Sequence, residues 1–155
     1  MDYLLLKWIH IISSTIIFGT GIGSAFYMFM ANRRKDISVI YFATRHVVIA
    51  DWIFTTPSVI IQLIIGIALV NVMGYELFDG WVLWALILYF FAGACWLPVV
   101  WMQIKMCHMA KEALNNGTEL TSRYWKMDRW WIILGSLAFP AIVVVFWLMV
   151  YKPGL

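Results

Sequence analysis

The chain has 155 residues, 64% hydrophobic and 12% charged, with a formal net charge of +3. A soluble domain carries about 25% charged residues, so this composition excludes an ordinary soluble enzyme and reads as a polytopic membrane protein. The basic excess has a topological explanation, given below, and implies no nucleic-acid partner.

Four apolar segments are each long enough to cross about 30 Å of hydrocarbon at about 1.5 Å rise per residue. The first, 3–32, is longer than a signal-peptide core, lacks a cleavage site, and reads as a retained span. It carries His10 about two turns inside one end, followed by Ser13, Ser14, Gly19, Gly21, Gly23 and Ser24. An ionisable ring inside a membrane segment is expensive and raises a functional-site hypothesis. The plainer reading is a packing helix with one hydrogen-bonded histidine. Thr15, Gly19 and Gly23, four apart, admit the close approach of another helix or a flat cofactor.

The link Arg33-Arg34-Lys35-Asp36 leads to the second segment, 42–73, which contains Asp51, Pro57, Gln62 and Gly66. A carboxylate at the depth of Asp51 must be paired, protonated or wet. Arg129, Arg123 and Lys105 enter from the same side. An ion pair pinning two helices is therefore expected ahead of a proton relay. A tight connection at 74–80, acidic at Glu76 and Asp79, precedes the third segment, 81–109, with Pro98 and Gln103. Gln62 and Gln103 are suited to hydrogen-bonding across helices. Pro57 and Pro98 are expected to kink their helices where a cavity needs width. A polar stretch turning at Asn115-Asn116-Gly117 leads to the fourth segment, 130–151. The stretch Lys105–Arg129, with helix-favouring Ala110-Lys111-Glu112-Ala113-Leu114, is expected to extend the third and fourth helices beyond the bilayer.

Connections this short make sequential helices antiparallel neighbours. The expected architecture is an all-α, antiparallel four-helix transmembrane bundle forming one domain over 1–155. Of the eleven Lys and Arg, all but Lys7 and Lys152 fall on the side of the first and third connections. The positive-inside rule puts that side in the cytoplasm and both termini outside. Trp8, Trp81, Trp84, Trp125, Trp130, Trp131 and Trp147 lie near span ends, as interfacial aromatics do.

Residue counts place His10 roughly 10 Å inside the outer boundary, level with Gly66, with Leu88 or Tyr89, and with Val145. No second histidine shares that level, and Gly66 leaves room for a planar ring beside His10. His46 and His108 lie about 40 Å from the outer face. They are candidate ligands for a second cofactor, although ordinary interfacial histidines need no special partner. Cys95 and Cys107 make no disulfide framework, and Cys107-His108 lacks the earlier cysteine of a c-type haem motif, with Ile104 in its place.

The run Leu6-Lys7-Trp8-Ile9-His10-Ile11-Ile12, with Phe18-Gly19 and Phe26-Tyr27, resembles the first helix of HemJ-type protoporphyrinogen oxidases. Their wider superfamily includes copper-resistance D-like membrane domains. Thr56-Pro57 and Leu63-Ile64-Ile65-Gly66-Ile67-Ala68-Leu69 resemble the second helix of that group. The chain is similar, more closely, to a bacterial family of predicted integral membrane proteins of unknown function. The residues behind that likeness are Ala50-Asp51-Trp52-Ile53-Phe54-Thr55-Thr56-Pro57, Trp96-Leu97-Pro98-Val99-Val100-Trp101-Met102-Gln103-Ile104-Lys105 and Phe146-Trp147-Leu148-Met149-Val150-Tyr151-Lys152-Pro153.

The HemJ-like resemblance implies haem b on the first-helix histidine, here His10. The chain departs from that pattern where HemJ-like third helices carry a lysine and a histidine, and again at Met28-Phe29-Met30, where a basic residue is missing. The resemblance therefore carries over the fold and a haem site, and not porphyrinogen oxidation. The resulting expectation is a haem-b-binding redox or electron-transfer protein of the bacterial inner membrane, with an unidentified redox partner. Its cofactor would be held by His10, Ser14, Gly21 and Gly66. The alternatives are a structural or accessory membrane protein without cofactor and a divergent HemJ-like oxidase. The lack of a second histidine at the His10 level, and the Gly19/Gly23 face, make a homodimer the expected assembly.

Overall fold

The computed structural model describes residues 2–78 and 80–153. Asp79, counted above in the acidic connection, lies outside them, as do Met1, Gly154 and Leu155. Four spans emerge: Tyr3–Arg34, Ile37–Met73, Gly80–Asn116 and Ser122–Tyr151. Among the described residues there is no strand.

Local chemistry sets the ends. Asp2 accepts from the Leu4 amide at 3.1 Å and starts α1 (Tyr3–Arg34), satisfying a donor the helix leaves orphaned. Arg33 and Arg34 complement its carbonyl end. Lys35 then leaves the helix at φ 56°, and Asp36 caps α2 (Ile37–Ala50) by accepting from the Ser38 and Val39 amides. That cap starts the second helix at Ile37 instead of near 42. The Ser38 hydroxyl and the two amides also hold the Asp36 carboxyl below the usual carboxylate range.

The second span is not uniform. Between α2 and α3 (Thr56–Met73) lies a π-helical turn, Asp51–Thr55, in which the Thr56 amide reaches back five residues to the Asp51 carbonyl. Pro57 offers no N–H, and its ring crowds the carbonyl four residues earlier. The wider turn accommodates both defects. Its extra residue shifts the helical phase, and the span changes partner there. Below the turn α2 packs on α4 (Gly80–Asn116) and α1, whereas above it α3 packs on α1. The expected side-by-side packing of α3 and α4 is correspondingly slight.

α4 packs most extensively on α5 (Ser122–Tyr151). Their connection closes at Gly117, with φ 62°, and the Thr118 amide bonds to the Ala113 carbonyl at 3.0 Å. That is the six-residue bond of a Schellman ending. The helical continuation expected past Ala110 is present. At 30 to 37 residues the spans run to about 45–55 Å, well beyond about 30 Å of hydrocarbon.

His10 lies against Gly66, and Lys152 Nζ lies over the rings of Tyr75 and Trp81. The start of α1 and the end of α5 therefore belong to one end of the bundle, the terminal end; the opposite, basic end carries Arg33–Lys35 and the Gly117 turn. The main core is at the basic end, where Met28, Ile40, Val47, Met106, Ala110 and Tyr124 are buried together. A smaller cluster of Trp81, Val82, Ala85 and Leu148 closes the terminal end. Trp8, Trp84, Trp130 and Trp147 are exposed as interfacial aromatics are, but Trp81 and Trp131 are buried in these clusters.

Candidate functional site

Three polar clusters lie inside the bundle, and two of them contain residues that the sequence singles out. The one nearer the terminal end joins α1 to α3. The Gln62 amide nitrogen donates to His10 Nε2 at 3.1 Å, and the Ser13 hydroxyl donates to the Gln62 carbonyl oxygen. A Cβ on Gly66 would stand 3.3 Å from His10 Cε1 and 3.8 Å from Nδ1. The open space at Gly66 is therefore taken by the imidazole itself, and not left for a cofactor beside it. With Nε2 accepting, the ring proton belongs on Nδ1, which is buried without a partner.

The second cluster centres on the π turn. Asp51, Thr55 and Gln103 are each only 4% exposed. The Thr55 hydroxyl donates to Asp51 Oδ1 at 2.9 Å. One orientation of the Gln103 amide satisfies both its neighbours: the nitrogen donates to Asp51 Oδ2 at 2.6 Å, and the oxygen accepts from Trp131 Nε1 at 3.2 Å. The π turn, α4 and α5 are thereby tied together without a cation. The expected ion pair with Arg129, Arg123 or Lys105 is corrected here. Arg129 and Arg123 are exposed at the basic end, where a guanidinium keeps its hydration.

A cavity of about 420 Å³ lies beside this second cluster. Small residues of α1, α4 and α5 (Gly21, Ala25, Ala92, Gly93 and Gly135) give it flat walls, and Phe18, Phe29, Trp96, Trp131 and Phe139 give it aromatic ones. Asp51, Thr55 and Gln103 supply its polar side, and Tyr89 lines it while donating to the Val59 carbonyl at 2.7 Å. Ile22 and Phe26 of α1 and Ser136 of α5 both line it and are exposed, so it opens sideways between α1 and α5. Above, Phe18 packs on Phe139 and Phe146 at centroid distances of 4.8 and 5.4 Å. Below, the Tyr124 hydroxyl donates to Asn32 Oδ1 and Asn32 Nδ2 to Asp128 Oδ1, each at 2.7 Å.

The other candidate residues are dispersed. Ser14 donates to the Ile11 carbonyl of its own helix. Gly21 lines the cavity, as His10 and Gly66 do not. His46 and His108 are both exposed; His46 Nδ1 donates to the Phe42 carbonyl at 2.7 Å and its ring rests on Phe42. Among the described residues no three His, Cys, Asp or Glu side chains gather to hold a metal ion. The His10 neighbourhood does not fit a haem. One ring nitrogen is engaged by Gln62, the other faces the α3 backbone at Gly66, and the cavity lies elsewhere.

Sequence reasoning missed the Asn32–Tyr124–Asp128 cluster, whose only signal was an asparagine just ahead of a basic run. It also missed the π turn, for which the doubled threonine before Pro57 is a partial sign.

Fold and site together define an all-α, four-span integral membrane protein with a laterally open cavity beside a buried carboxylate. Residues 4–153 match the family described as "Predicted integral membrane protein (DUF2269)". The chain belongs to that family. No curated protein and no solved structure matches it.

Proposed function

We propose that this protein binds a flat, largely apolar small molecule taken from the lipid phase, held between α1 and α5. The observation that carries this reading is the cavity itself. At about 420 Å³ it falls within the roughly 300–1,000 Å³ of small-molecule sites, with apolar walls and a few convergent polar groups. Its sideways opening faces the phase in which such a molecule dissolves.

The test is extraction of the protein purified in native lipid discs, with mass spectrometry of what leaves it. A Cβ on Gly93 or Gly135 would meet no atom within 4 Å, so Gly93→Leu and Gly135→Leu place their side chains in the cavity. A molecule enriched with the wild type and lost from both variants, at unchanged thermal stability, is expected. No enriched molecule, and no binding of added flat aromatics, refutes the reading and leaves the accessory-protein alternative.

Haem b with an electron-transfer role is the ligand and function that the HemJ-like resemblance would supply. A Soret band in the wild-type protein that weakens in His10→Ala would replace the cavity reading with that one. We further read the chain as a homodimer of the bacterial inner membrane with its basic end cytoplasmic. Gly19 and Gly23 support the α1 interface, because both are exposed and neither has an atom near its missing Cβ. Single cysteines placed there, without Cys95 and Cys107, should cross-link in native membranes. A monomeric mass in mild detergent with no cross-link excludes the dimer.

A further inference from the structure

Asp51 is buried in a membrane span, and its hydrogen-bond donors are the neutral groups of Thr55 and Gln103. A carboxylate removed from water is costly unless a cation or several donors compensate it. Each of its oxygens takes one hydrogen bond here, whereas an ionised carboxylate has about four acceptor positions. Asp51 lines the cavity, whose lining includes no lysine or arginine among the described residues. The same cavity is lined by Trp96, Trp131, Phe29 and Phe139, and aromatic faces attract cations electrostatically, most strongly where water is excluded. A neutral ligand would use the walls and give Asp51 no counter-charge, leaving it protonated or uncompensated. An anionic one would be repelled.

Taking the cavity as the ligand site proposed above, we infer that its ligand is an organic cation: a flat aromatic or amphiphilic molecule whose positive nitrogen pairs with Asp51. The carboxylate supplies the charge, Gln103 and Thr55 fix it by their hydrogen bonds, and the tryptophans cover the cationic ring. No covalent or redox step is involved.

The experiment compares N-methylacridinium, a flat and permanently charged cation, with anthracene, a neutral molecule of nearly the same shape. Both are titrated into full-length protein in lipid discs, with empty discs as the partition control. The cation is expected to bind at least tenfold more tightly than anthracene, with that preference lost in Asp51→Asn and kept in Asp51→Glu. Equal binding of the two probes to the wild type would overturn the charge assignment while leaving the cavity reading in place. Binding of neither overturns both. The wild-type comparison needs no variant, so a poorly folded Asp51→Asn protein does not protect the inference. A preference unchanged in well-folded Asp51→Asn would also overturn it.

Discussion

Gly66→Ala tests the terminal-end cluster most directly, because two opposing effects act on one methyl group. Alanine is better than glycine inside a helix by roughly 0.5–1 kcal/mol. The new Cβ would stand 3.3 Å from His10 Cε1, closer than packed carbons prefer. The ring is held by the 3.1 Å bond from Gln62, so moving it stretches that bond. Overpacking of this kind costs about 1–3 kcal/mol. The expected net result is a loss of about 0.5–2 kcal/mol in the wild-type background. In a His10→Ala background the ring is gone, and the same substitution should stabilise by about 0.5–1 kcal/mol. The change of sign is the diagnostic result, and the double-mutant cycle should return a coupling of about 1–3 kcal/mol. The assay is denaturant unfolding in detergent micelles followed by tryptophan fluorescence. Additive effects, with Gly66→Ala equally mild in both backgrounds, would show that the imidazole does not rest on Gly66.

Three further outcomes are expected. Tyr124→Phe removes the donor to buried Asn32 Oδ1, and stability measured by the same unfolding assay should fall by about 1–3 kcal/mol, the desolvation penalty of an unpaired buried acceptor. Gln103→Leu leaves Asp51 Oδ2 and Trp131 Nε1 unpaired at once; it should destabilise by more than Tyr124→Phe, with a shifted emission maximum at Trp131. The Asp36 cap gives a pH dependence. Its carboxyl is held low in the folded state, so its contribution is present above the ordinary carboxylate range and is lost as pH falls through the depressed folded value. Asp36→Ala should flatten that acid-side decline in a stability–pH profile.

Much of the fold was legible because it follows from length, hydropathy and rise per residue. Counting along helices placed His10 level with Gly66, and the two are in contact. The same counting could not show which face a residue occupies. Asp51 and Gln103 stand about four turns in from the basic ends of their spans and Arg129 only about two, yet all three enter from the same side, so a charge-based expectation paired Asp51 with Arg129. At about 100° per residue, however, buried Trp131 lies almost opposite exposed Arg129 on α5. Trp131 therefore faces Gln103 inside the bundle, and the arginine faces out. Azimuth depends on how helices pack, and the π turn alters it midway through the second span. No periodic pattern in the sequence carries that phase shift, since the stretch is apolar nearly all round. The cavity was equally hidden, because it depends on residues of α1 and α5 more than a hundred positions apart.

The His10 and Asp51 clusters differ in whether they are closed, and that difference follows from the spacing of α1 and α5. Near the terminal end the His10 ring lies on the α3 backbone, and side chains of the same helix pair satisfy Gln62. Such a cluster has no free volume, so its chemistry is spent on holding α1 against α3. Farther toward the basic end, α1 is kept off α5 by the rings of Phe18, Phe139 and Phe146 above and by the Asn32–Tyr124–Asp128 cluster below. Between these spacers small residues open the lining, Gly21, Ser24 and Ala25 on α1 and Gly135 and Ser136 on α5. Small side chains cannot fill a gap set by aromatic rings, and the helices cannot close it while both spacers are packed. The second span has meanwhile changed partner at its π turn, leaving α3 away from α4 and bringing Asp51 to the wall of that gap. A void and a buried carboxylate are each destabilising alone. Their placement together, beside an opening to lipid, is the arrangement in which one bound molecule relieves both.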